Sequence, residues 1–146
     1  MTEQKLIIGR DDKADFPSFN LSDVPVKTDS GAYTSTIHCS LIEEKDDILN
    51  VIFLSPDDQS YTGERMQFHE YEQKKVRSSS GEQQERYIVK GSIQLFDRKH
   101  NTEFTLSSRD LMRYPVLLGR KLLSGNFLID TSLSNLSYEQ KNKSNT

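Results

Sequence analysis

Short runs of β-branched and aliphatic residues, each closed off by turn chemistry, constrain this fold more than any other feature. "KLIIG" (5–9), "DVPVKT" (23–28), "STIHCSLI" (35–42), "ILNVIFL" (48–54) and "TEFTL" (102–106) have the length and composition of strands. In the second run Val24, Val26 and Thr28 alternate onto one face, and Pro25 suggests an edge strand or a strand start. "SPDDQS" (55–60) is turn chemistry. Two longer polar-alternating segments, "ERMQFHEYEQKKVR" (64–77) and "ERYIVKGSIQLF" (85–96), flank "SSSGEQQ". They predict a long hairpin over about 64–96, with Gly81 available for a positive φ at its tip.

Further on, "SSRDLM" (107–112) reads as a helical turn capped by Ser107 or Ser108 and ended by Pro115. "VLLG" (116–119) is an apolar strand, "RKLLSG" (120–125) a short helix stopped by Gly125, and "NFLID" (126–130) a last strand. About nine strands with little helix predict an all-β domain, closed or sandwiched. It spans 1–146 as one unit, with 137–146 a polar, flexible tail.

Composition narrows the function classes. A net charge of −3 lacks the basic excess of a nucleic-acid binder. No run nears the roughly 18 apolar residues of a membrane span. The N-terminal "LIIG" is far shorter than the core of a signal peptide, which places the chain in the cytoplasm, or outside the cell if a leader has been removed. A single cysteine, Cys39, excludes an internal disulfide framework and a four-cysteine zinc site.

The residues that carry chemistry start at Asp29. Asp-Ser-Gly is ordinary turn chemistry, but here it follows a strand, so the carboxylate stands at a strand-to-loop junction. The small residues Gly31 and Ala32 let other backbone approach it. Together, "DSGA" (29–32) and "LLGR" (117–120) resemble the retropepsin class of aspartic peptidases. Over longer blocks, "DSGAYTSTIH" (29–38), "VRSSSGEQQERYIV" (76–89) and "RDLMRYPVLLGRKLLSGNFLID" (109–130) are similar to a bacterial retropepsin-like family labelled an ATP-dependent zinc protease, encoded beside or fused to ATP-grasp glutamate ligases. The similarity runs from about residue 6 to residue 136. The family usually has Val before the aspartate and Thr after it, where this chain has Thr28 and Ser30.

The resemblance implies a retropepsin-like closed barrel with one short C-terminal helix. It implies catalytic roles for Asp29, Ser30 and Gly31, and substrate contacts from Ala32, Arg77, Glu85, Arg86, Arg113, Gly119 and Arg120. It also implies an acidic or glutamyl-rich peptide as substrate, the 64–96 hairpin as a flap over the site, and no cofactor. Aspartic peptidases need two carboxylates that share a proton and hold a water between them. This chain supplies one and is too short for two lobes. If Asp29 is catalytic, its partner is Asp29 of a second copy across a two-fold axis.

The zinc label has little support in the residues. No P-loop is present, and "HEYEQ" (69–73) has Gln73 where a zincin has its second histidine. His38 and Cys39 are adjacent and would point to opposite faces of a strand; His38 suits a structural hydrogen bond, Cys39 the core, and His100 an exposed turn. Two other readings stay open: a non-catalytic module on the same scaffold that acts with a glutamate ligase, and a zinc hydrolase.

Overall fold

The structure is a computed structural model that describes residues 4–77, 81, 83–109 and 113–144; the side chains at 76–77, 83–84 and 144 lie outside it. In chain order the elements are β1 (Leu6–Ile8), β2 (Asp11–Phe16), a 3₁₀ turn (Pro17–Phe19), β3 (Leu21–Thr28), β4 (Ser35–Lys45), β5 (Ile48–Phe53) and β6 (Arg65–Phe68). They continue with β7 (Glu72–Arg77), β8 (Gln83–Leu95), β9 (Arg98–Ser107), β10 (Val116–Leu118), α1 (Arg120–Leu123), β11 (Phe127–Ile129) and α2 (Leu136–Ser144). None of these helices is long and apolar enough to cross a membrane.

Six strands close on themselves in the order β10-β3-β2-β8-β9-β4, and a β10–β4 pairing completes the ring. β5 and β6 extend the wall beyond β4, β7 flanks β8, and β1 pairs with β11 in a separate parallel ribbon. Closure removes most edges that would otherwise template aggregation. The all-β domain expected from the short apolar runs is therefore present, closed into the barrel that the resemblance implies.

Aromatic packing fills the interior. The 3₁₀ turn drives Phe19 into the barrel, where its ring stacks on Phe53 (centroids 4.2 Å apart) and meets Phe104 edge-on at 5.6 Å. Phe16 meets Phe104 in the same way at 5.7 Å. Such pairs each add about 0.5–1.5 kcal/mol beyond burial. Phe19 fits because β8 presents Gly91 to it: a Cβ there would lie 2.4 Å from the ring.

Three expectations need correction, and one strand lies outside the apolar runs altogether: β2, "DDKADF", is a barrel strand whose buried face is Asp12, Ala14 and Phe16. The 64–96 hairpin is shorter than expected: β6 pairs with β5, the chain turns at His69–Tyr71, and the hairpin proper is β7–β8. Its tip at 78–80 and 82 lies outside the described residues, as does 110–112 of the turn expected over 107–112. Pro25 sits in a barrel strand between β2 and β10, one residue before β10 begins pairing at Val26. Finally, His100 lies within β9, 5.4 Å from the Phe127 ring, because the turn is made earlier by Phe96 and Asp97 at φ +55° and +59°.

Most of the expected polar tail is helix. The buried Asp12 carboxylate accepts the backbone N–H of Ser137 (2.9 Å) and Tyr138 (3.1 Å), which caps α2. Lys141 then reaches Asp15 and Asp23, each at 3.0 Å. The partners lie over a hundred residues away in sequence, so no local signal announces the helix. A second helix thus joins the short one expected after Gly119.

Candidate active site

β3 ends against β10 in parallel register, with Val26 opposite Val116 and Thr28 opposite Leu118. β10 pairs on its other side with β4, Leu117 opposite Thr36. The Asp29 loop is the connection from β3 to β4, so it must pass over the end of β10. One hydrogen bond fixes this crossing: Asp29 N donates to the Leu118 carbonyl at 2.8 Å.

Within the loop, Ala32 N donates to Asp29 O at 3.2 Å and closes a four-residue turn. Gly31 N donates to Asp29 Oδ1 at 3.1 Å, an Asx turn that orients the carboxylate. Asp29 is half-buried, and Ser30 and Gly31 are exposed.

The loop and α1 satisfy each other's backbone. Arg120 N and Lys121 N, two donors that the first turn of a helix leaves unpaired, bond the carbonyls of Ala32 and Tyr33 at 2.8 Å each. This contact requires glycine at 119, where a Cβ would lie 2.5 Å from the Tyr33 carbonyl oxygen. Gly119 N donates to the buried Ser35 hydroxyl at 3.0 Å. The Arg120 guanidinium donates to Ser30 O at 2.9 Å and lies 5.8 Å from the Tyr33 ring centre. Gly119 and Arg120 therefore brace the Asp29 loop.

On the other flank Thr28 answers a question raised by the sequence. Its hydroxyl bonds the carbonyls of Gly9 (3.1 Å) and Arg10 (3.0 Å), and its N–H also donates to Arg10 O. The polar group that replaces valine is thus fully used. Nearby, Asp11 accepts hydroxyls from Tyr114 (2.7 Å) and Ser134 (2.5 Å), which hold its carboxyl below the usual range.

Six of the expected site residues, Asp29, Ser30, Gly31, Ala32, Gly119 and Arg120, thus form one bonded cluster. Glu85 and Arg86 lie elsewhere, on β8, beside a cleft of about 370 Å³ that Arg109 also lines. Arg113 is exposed next to Tyr114, and the Arg77 side chain lies outside the described residues. His38 and Cys39 are both buried, with burial pushing the Cys39 thiol up. Ser35 and Tyr33 were not singled out from sequence. Tyr33 is 59% exposed beside the aspartate; an aromatic directly after a small-residue turn is the only hint.

A closed barrel whose Asp-Ser-Gly loop is threaded over a Leu-Leu-Gly strand and locked by the following helix is the retropepsin-like arrangement. The chain belongs to the RimB-like family, described as "Retropepsin-like aspartic endopeptidase RimB", which it matches over residues 7–140. It is similar to the "Probable alpha-L-glutamate ligase" of Shewanella pealeana, 31% identical over 138 residues that make up 92% of this chain and 30% of that protein. A protein of the same name from Parasynechococcus marenigrum is 32% identical over 132 residues, 87% of this chain and 28% of that one. The chain thus spans less than a third of the length of these relatives. In three dimensions it is similar to the crystal structure of Lpg0085, a Legionella pneumophila protein of unknown function. The TM-score is 0.69 at 28% identity, covering 92% of this chain and 99% of that one.

Proposed function

We propose that the chain is an aspartic peptidase that hydrolyses peptide bonds in a homodimer, through a dyad of two Asp29 carboxylates. The observation that carries this reading is the Asp29 loop itself. Its carboxylate is oriented by Gly31 N–H, its backbone is tied to Leu118, and its outer side is left exposed.

In the dimer, one Asp29 takes a proton from a bound water while its mate protonates the scissile carbonyl oxygen. Carboxylates about 3 Å apart share one proton, so the pair titrates as a unit. In this dimer Ser30, which is exposed in the single chain, bonds across the two-fold axis. The β7–β8 hairpin serves as the flap that shields the dyad and its bound water from bulk solvent. Arg10, whose carbonyl accepts from Thr28, and Lys27 are exposed beside the loop and favour an acidic substrate.

One observation favours a second reading, a regulatory or binding module acting with a glutamate ligase: the curated relatives carry that name. A broad peptide library separates the two. Cleavage by the wild type that is lost in Asp29→Asn, with dimerisation retained, supports the peptidase. No cleavage by the wild type supports the module. Activity removed by a chelator and restored by zinc would instead revive a metal hydrolase.

A further inference from the structure

β9 stops before its neighbours do. Its last pairings are Ser107 with His38 on one side and Thr105 with Ile88 on the other. Beyond them β4 runs on to Lys45, paired only with β5. β8, read backwards, runs on to Gln83, paired only with β7. Over these stretches each strand keeps one edge that no described strand occupies. Where β9 still lies between them, β4 and β8 are two inter-strand spacings apart, roughly 9.5 Å, which is the room one extended chain needs.

The cleft of about 370 Å³ lies in this gap. Its residues divide by strand alternation. Tyr87 shares a face with Val89, whose partner Phe104 is two residues before Leu106, so Tyr87 and Leu106 lie on the same, inner face. Ile42 also lines the cleft. Arg86 lies on the opposite face, and Arg109 stands where the chain leaves β9. Among the described residues, Arg86, Arg109 and Glu85 are the charged lining groups. Tyr71 links the two strands: its hydroxyl bonds Glu44 on β4 and its ring meets Tyr87 of β8 edge-on at 5.9 Å.

We propose that this gap is a docking slot for an extended peptide, which adds as a strand continuing β9 between β4 and β8. Main-chain bonds to two open edges supply affinity, and alternate side chains supply selectivity. Residues on one face of the guest meet Tyr87, Leu106 and Ile42, which calls for apolar side chains. Residues on the other meet Arg86, which calls for carboxylates. The expected guest is therefore a segment alternating apolar and acidic residues.

The slot is distinct from the Asp29 loop. That loop is tied to Ser35 at the start of β4, whereas the gap opens beyond His38, three residues along, and runs to Ile42, about 23 Å from Ser35 at strand rise. A guest would also fasten the return strand of the β7–β8 hairpin to β4.

The test uses a fluorescein-labelled hexapeptide of alternating valine and glutamate, titrated into the Asp29→Asn protein so that nothing is cleaved. Saturable binding is expected, with amide exchange slowed at 40–44 and 85–87. Binding should weaken at least tenfold when alternate backbone nitrogens of the peptide are methylated, and likewise in Arg86→Glu. The methylated peptide needs no protein variant, so a folding defect in Arg86→Glu leaves the test intact. Equal binding of the methylated peptide, protection elsewhere, or no binding overturns the slot. Wild-type cleavage without slot binding removes the slot alone; slot binding without wild-type cleavage removes the peptidase reading alone.

Discussion

Asp29 is held almost wholly by backbone groups, so the surrounding side chains can be tested without disturbing the carboxylate. Asp29→Asn keeps the size and the hydrogen-bond acceptor but not the charge. Peptide cleavage is expected to fall by a factor of at least about 10², with an unchanged thermal melt. Gly119→Ala would drive a methyl into the Tyr33 carbonyl, and a loss of about 1–3 kcal/mol is expected in urea unfolding. Asp11 sets a pH dependence. Its folded carboxyl sits below its unfolded value because Ser134 and Tyr114 donate to the charged form. The native state therefore binds fewer protons than the unfolded one. The stability Asp11 contributes is complete above about pH 4 and is lost as the pH falls through its folded value. Asp12, pushed up by burial, works in the opposite sense. Asp11→Asn should flatten the acid limb of a stability-against-pH curve, and an unaltered limb would refute this. The aspartate and the two glycines were legible from sequence because turn chemistry and close approach leave residue-level marks. Ser35 was not, since a buried serine in an apolar strand looks like any other strand residue until Gly119 is seen to use it.

At the level of elements, the strands that read well are those whose buried positions are apolar. β4, β5, β9 and β10 are of this kind, with Ile37, Val51, Phe104 and Val116 all buried. β2 was illegible because one of its three buried residues is Asp12, which alternation counts as polar. The same carboxylate explains why α2 was read as a tail, because its cap comes from β2. Asp12→Ala is expected to cost about 1–2 kcal/mol and to reduce helical circular dichroism, while Asp12→Asn, which can still accept, should cost less. Equal losses from both would mean that burial, not capping, dominates. The hairpin was misjudged for a different reason: β6 and β7 share one polar pattern, and only the turn at His69–Tyr71 assigns β6 to β5.

On the scale of the whole molecule, the barrel closes around one hydrophobic core of aliphatic residues and phenylalanines, yet its Asp-Ser-Gly loop carries one aspartate. Composition and strand count could suggest closure, and the resemblance named the fold. Neither could say which wall each strand occupies, since that depends on pairings such as β10 between β3 and β4. The central claim is that two copies complete one site. It is tested by mixing wild-type chain with Asp29→Asn chain in varying ratio at constant total concentration, after subunit exchange, and measuring peptide cleavage. Because a mixed dimer holds one carboxylate, activity is predicted to fall as the square of the wild-type fraction. A linear fall, as from protomers that each work alone, would contradict the account.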